Sequence, residues 1–156
     1  MFHSSNPTLF GRPEGVLAET EALHSTLAGL RRVSNSLIGN VAQARIEARR
    51  LLATFSSVLA RYFNGAESGA YFGAILAEYP HLAKRVSALG SSRADLQGSV
   101  TSVRRLAFRD ADTAELGRRI DGVIDVFEEH ERSEAALLRD FFGGGRVRAV
   151  SRAEAP

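Results

Sequence analysis

One row of side chains near the C-terminal end of the chain constrains the fold more than any other feature. Leu116, Ile120, Val123, Phe127, His130, Glu134, Leu137 and Phe141 recur at alternating four- and three-residue spacing, the period that keeps side chains on one face of an α-helix. The row is apolar except at its centre, where His130 and Glu134 stand in register with the core. A second row, Leu82, Val86, Leu89, Arg93, Leu96, Val100 and Val103, is interrupted by a single arginine. A third, Leu52, Phe55, Leu59, Tyr62 and Ala66, carries one polar-tipped member, Tyr62. On the first helical stretch Leu17, Thr20, His24 and Leu27 fall near one face.

Turn-forming residues separate these rows. Helices are predicted over 14–38, ending near Gly39-Asn40, and over 42–78, where Pro80 disfavours helix at the residue before it. Asn64-Gly65 and Gly69 are expected to bend or loosen the second helix. A third is predicted from His81 to about Arg109. The turn Asp110-Ala111-Asp112-Thr113 supplies an Asp or Thr cap for a fourth that runs to Phe142. No alternating strand pattern competes. The connections are short, which predicts an all-α, antiparallel up-down-up-down four-helix bundle over 14–142. Residues 1–13, with Asn6-Pro7 and Gly11-Arg12-Pro13, read as an irregular lead-in. Residues 143–156, opening on Gly143-Gly144-Gly145, read as a helix stop and a flexible tail.

Composition narrows the functional classes. The 156 residues include no cysteine, which removes disulfides, thiolate catalysis and cysteine-ligated metal. Net charge is +2, and the calculated pI near 9.5 reflects arginine in place of lysine, Lys84 being the only lysine. The arginines are spread beside Asp and Glu, so no nucleic-acid partner is expected. No stretch approaches the length of a membrane span, and no basic segment followed by an apolar run marks a signal peptide. No membrane partner and a cytoplasmic location are therefore the expectation. Nothing resembles a nucleophile elbow or a phosphate-binding glycine loop, and the chain is not expected to be an enzyme. His81, beside Pro80, reads as a surface or capping residue, and His3 carries no signal.

Laid antiparallel, the helices bring His24, Tyr62, Arg93, His130 and Glu134 to one level of the bundle. Burying such groups unpaired costs several kcal/mol, so they must satisfy one another, bind something or reach water. His130 and Glu134, four residues apart, are neighbours on one helix face and suit either a shared ion or a plain hydrogen bond.

The segment FEEHERSEAALLRDFF is similar to the last helix of the hemerythrin-like (HHE cation-binding) family, with His130 and Glu134 at its H-x-x-x-E positions. ALHSTLAGLRR resembles the family's first helix and places His24 at the first ligand position. The likeness covers most of 14–142 in order and spacing. It implies a four-helix bundle with interior His and carboxylate ligands to non-haem iron, serving oxygen, nitric oxide or metal sensing or storage. The middle helices depart from the pattern. In LARYFNGAESGAYFGAIL, Tyr62 stands at the histidine position and Ala66 at the carboxylate position, with Glu67 beside it. In LGSSRADL, Ser92 and Arg93 replace the expected Glu-His pair.

A stable di-iron centre is therefore not expected. Two readings stand. In one, His24, His130 and Glu134 hold a single iron or zinc ion, with Tyr62 or Glu67 as substitute ligands, although Glu67 is turned about 100° from the position of Ala66. In the other, the bundle is metal-free, a structural or interaction module in which Arg93 replaces the metal's charge within an Arg93–Glu134–His130 network joined by Tyr62. Tyr71, Phe72, Ile75 and Tyr79, with Phe141 and Phe142, form apolar helix ends that either plug the bundle or serve a homodimer or protein partner.

Overall fold

The computed structural model describes residues 14–39, 41–66, 69–109 and 112–152, and all regular structure in them is helical. The helices are α1 (Glu14–Ile38), α2 (Ala44–Ala66), α3 (Gly69–Glu78), α4 (Ala83–Phe108) and α5 (Thr113–Arg152). A single 3-10 turn, Pro80–Leu82, joins α3 to α4. The expected lead-in 1–13 lies outside the described residues.

The helix boundaries follow local chemistry. Asp112 caps α5: its Oδ1 accepts from the backbone N–H of Ala114 at 3.3 Å and its carbonyl accepts from Leu116 at 3.0 Å. The last carbonyls of α4 are taken by arginines from α2. Arg49 Nε donates to Ala107 and Arg45 Nη1 to Arg109, each at 2.7 Å, a favourable place for cations at a helix C-terminus. Pro80 acts as expected, but the chain passes through a 3-10 turn before α4 begins at Ala83, two residues after the predicted start.

One expectation is corrected and one is only partly covered. Within the predicted 42–78 helix the described residues form α2, which ends at Ala66, and α3, which begins at Gly69; residues 67 and 68 lie outside them. The fourth helix does not stop at Phe142; α5 runs through Gly143-Gly144-Gly145 to Arg152. A glycine costs about 1 kcal/mol in a helix interior but does not terminate it, and no proline follows until Pro156.

Helix α1 packs against α2 and α5, and α4 packs against α5 and α2. Residue numbers run in opposite senses along the α1–α5 and α4–α5 contacts. Ser34 meets Gly117 and Asp121 while His24 meets Glu131. Likewise Ser92 meets His130 while Arg85 meets Asp140. At Gly117 the α1–α5 approach is so close that a Cβ there would lie 2.8 Å from Ile38 Cγ1 and 3.0 Å from the Ser34 carbonyl oxygen. The buried Ser34 hydroxyl uses this approach, lying 3.0 Å from the Gly117 carbonyl and 2.5 Å from Asp121 Oδ1.

The buried side chains form two apolar clusters. The larger includes Leu27, Leu30, Leu37, Leu52, Phe55, Leu59, Leu96, Val123 and Phe127, with Phe55 and Phe127 packed edge to face at 5.7 Å between ring centres. The smaller contains Phe72, Ile75, Leu82, Leu89, Leu137 and Phe141, with Tyr79, Val86 and Leu138 against it. Phe72, Ile75, Tyr79 and Phe141 thus pack the molecule's own end, the first of the two roles the sequence left open to them. The side chains of Tyr71 and Phe142 lie outside the described residues.

Candidate functional site: the polar layer between two apolar clusters

The two clusters are separated by the polar residues that interrupt the rows. Along α5 the order is Phe127 in the larger cluster, then His130 and Glu134, then Leu137 in the smaller. Along α4 it is Leu89 in the smaller cluster, then Ser92 and Arg93, then Leu96 in the larger. Helix α2 contributes Tyr62 and Phe63 at the edge of the larger cluster, just before α3 supplies Phe72 and Ile75 to the smaller.

Tyr62, His130 and Glu134 are all buried, with 2%, 1% and 4% of their surface exposed. The Tyr62 hydroxyl donates to Glu134 Oε2 at 2.7 Å and so ties α2 to α5. His130 Nδ1 shares a 3.0 Å hydrogen bond with Ser92 Oγ, which ties α4 to α5. Phe63 fills the space between them: the His130 ring meets it edge-on at 5.3 Å, and the guanidinium of half-buried Arg93 sits 5.7 Å from its ring centre, within cation–π range. Ser92 is the member that the row of α4 does not reveal, since it stands one residue beside Arg93; its place opposite His130 appears only once α4 and α5 are docked.

His24 does not join this layer, which corrects the first-helix expectation. Its side chain is 54% exposed, and Nε2 lies 2.8 Å from Glu131 Oε1 on the outer side of α5. The buried face of α1 is Leu23, Leu27, Leu30, Ser34 and Leu37, with Thr26 and Val33. His24 follows Leu23 and is rotated about 100° from it. A groove of about 550 Å³ lies beside the layer, lined by Tyr62, Glu128, Glu131, Arg132, Glu134 and Ala135. Its rim acids already have partners: Glu128 pairs with Arg31 and Glu131 with His24.

The metal that the hemerythrin-like resemblance implies does not fit the described donors. Such a centre needs several N and O donors converging on one point with an open position. Here Glu134 is hydrogen-bonded to Tyr62, His130 to Ser92, and His24 is turned outward. Among the described residues no group of three or more His, Asp or Glu side chains is placed to hold an ion; Glu67 lies outside them. Ser92 sits inside α4, where the backbone N–H groups around it are used by the helix ladder. No family model, no curated protein and no solved structure matches the chain.

Proposed function

We propose that the chain is a metal-free helical module: a hemerythrin-like, antiparallel four-helix bundle of α1, α2, α4 and α5 whose ligand layer has become a structural hydrogen-bond layer. It acts by binding another molecule through its surface rather than by chemistry within. In this reading half-buried Arg93, whose guanidinium lies 5.7 Å from the ring centre of Phe63, supplies the positive charge that a metal would bring. The observation that carries this reading is the 2.7 Å bond from Tyr62 to Glu134. It engages a carboxylate that a metal would need, using the residue that stands where the family has a histidine. The opposite sense of the α1–α5 and α4–α5 contacts supports the antiparallel arrangement.

The test is elemental analysis of protein purified without an affinity tag, followed by calorimetric titration with Fe(II) and Zn(II). The expected result is substoichiometric metal and no saturable binding lost on His24→Ala or His130→Ala. Near-stoichiometric iron or zinc that falls away in these variants would return the chain to the metal-binding reading. His24→Ala separates the two readings most cleanly, because an exposed His–Glu pair contributes only about 0–1 kcal/mol to stability.

A further inference from the structure

Four of the five exposed large apolar side chains among the described residues gather at the end of the molecule away from the polar layer; the fifth, Val126, stands on α5 one turn before His130. Ile38 closes α1, Val41 lies in the α1–α2 connection, Ile46 is in the first turn of α2 and Phe108 ends α4; their exposures are 47%, 51%, 69% and 68%. The segments that build this end, 38–50 and 104–119, hold eight arginines against four acids, a formal charge of +4. The whole chain carries +2, so the remainder is at −2. The two features interleave: the Arg49 guanidinium lies 4.8 Å over the Phe108 ring, and Arg45 reaches the Arg109 carbonyl beside it. A notch of about 220 Å³ opens at the same end, lined by Ser102, Arg105, Arg109 and Arg119 with Val103 and Leu106.

We infer that this end docks on the surface of an anionic phospholipid bilayer, with Phe108 and Ile46 entering the headgroup–acyl boundary and the arginines at the level of the lipid phosphates. Charge selects the partner. A second copy meeting the same face would set +4 against +4, as a two-fold contact pairs each patch with itself. A nucleic acid would match the charge but leave three aliphatic side chains against a polar, hydrated surface. The apolar residues come from three separate segments around one end. They do not form a stripe at helical spacing that would cradle a partner helix, and they suit a flat, soft surface. Arginine stems lie along apolar surface while their heads stay with phosphate. The contact is peripheral, since no described helix is long and apolar enough to cross a membrane. This inference is independent of the polar layer, so either reading survives failure of the other.

The test is flotation of the full chain with phosphatidylcholine–phosphatidylglycerol vesicles and with phosphatidylcholine alone. Binding is expected on the first only, weakening as salt is raised. Arg105→Gln and Arg109→Gln should each lower affinity about fivefold. Ile46→Ser and Phe108→Ser, at exposed positions whose circular dichroism should match the parent, should each lower it about tenfold. Because the chain has no tryptophan, Phe108→Trp gives a single reporter whose emission should shift to the blue with anionic vesicles and not with inorganic phosphate. No binding, equal binding to neutral vesicles, or an indole emission that anionic vesicles leave unshifted would overturn the inference. So would arginine-dependent binding indifferent to Ile46→Ser and Phe108→Ser, which marks a plain anion site. Tighter binding to duplex DNA than to vesicles would assign the surface to nucleic acid instead.

Discussion

Replacing Tyr62 by phenylalanine removes one oxygen from the interior and leaves the ring where it packs beside Phe63. The lost group is a hydroxyl that donates at 2.7 Å to Glu134 Oε2 in a site where both residues are almost fully buried. A hydrogen bond to a carboxylate contributes about 1.5–3 kcal/mol net. For a chain of this size each kcal/mol moves Tm by about 2–4 °C, so Tyr62→Phe should melt about 3–12 °C lower. Urea unfolding followed by circular dichroism should show a lower midpoint with an unchanged m-value. A double-mutant cycle with Glu134→Gln should then return a coupling of about 1 kcal/mol or more, as the two side chains touch. A Tyr62→Phe protein within about 0.3 kcal/mol of the parent, with no coupling to Glu134, would refute the claim that this bond joins α2 to α5.

Two further outcomes separate packing from propensity and test surface charge. Gly117→Ala should destabilise by about 1–3 kcal/mol, because its Cβ would press on the Ser34 backbone oxygen as well as on Ile38. Gly122→Ala on the same helix meets nothing within 4 Å and should stabilise by about 0.5–1 kcal/mol; thermal melts of the pair check both signs. Hydrogen bonds from Arg119 and then Arg118 hold the Glu115 carboxyl below its ordinary value of 4.5. A depressed carboxyl stabilises the fold above that ordinary value and loses its effect as pH falls through the depressed one. Glu115→Gln should therefore lower the urea midpoint slightly near neutral pH, with the difference closing in acid.

The helices on which the polar layer rests were legible because long amphipathic rows are a strong signal. On α5, Phe127, His130, Glu134 and Leu137 are buried as their spacing predicts. On α2, Leu52, Phe55, Leu59 and Tyr62 are too. The phase of α1 was not legible from Leu17, Thr20, His24 and Leu27 because Leu27 belongs equally well to a second row. That row, Leu23, Leu27, Leu30, Ser34 and Leu37, is the one buried. Extending the row toward the C-terminus of α1, where Leu30 and Leu37 are unambiguous, would have turned His24 outward. The partner of His130 could not be read from period alone, since Ser92 is polar, small and adjacent to a more conspicuous arginine. The exposed end was hidden for another reason. Ile38, Val41, Ile46 and Phe108 are isolated in sequence, and only the meeting of α1, α2 and α4 brings them together with the arginines.

The position of the polar layer explains why a chain with ample apolar residues keeps polar ones inside. Aliphatic side chains tolerate a slip of one helix along another, because any row of leucines offers many near-equivalent contacts. A hydrogen bond does not, because it fails beyond a few tenths of an ångström from its proper length. Tyr62–Glu134 fixes α5 against α2, and Ser92–His130 fixes α5 against α4, at one level of the molecule. That level lies between the two apolar clusters, where, among the described residues, nothing apolar links the alignment of one to that of the other. Helices α4 and α5 cross it with side chains in both clusters, so fixing them to each other carries the register of the larger cluster into the smaller. The cost of burying Glu134 and His130 is offset by their own partners, and the return is a single alignment of two cores.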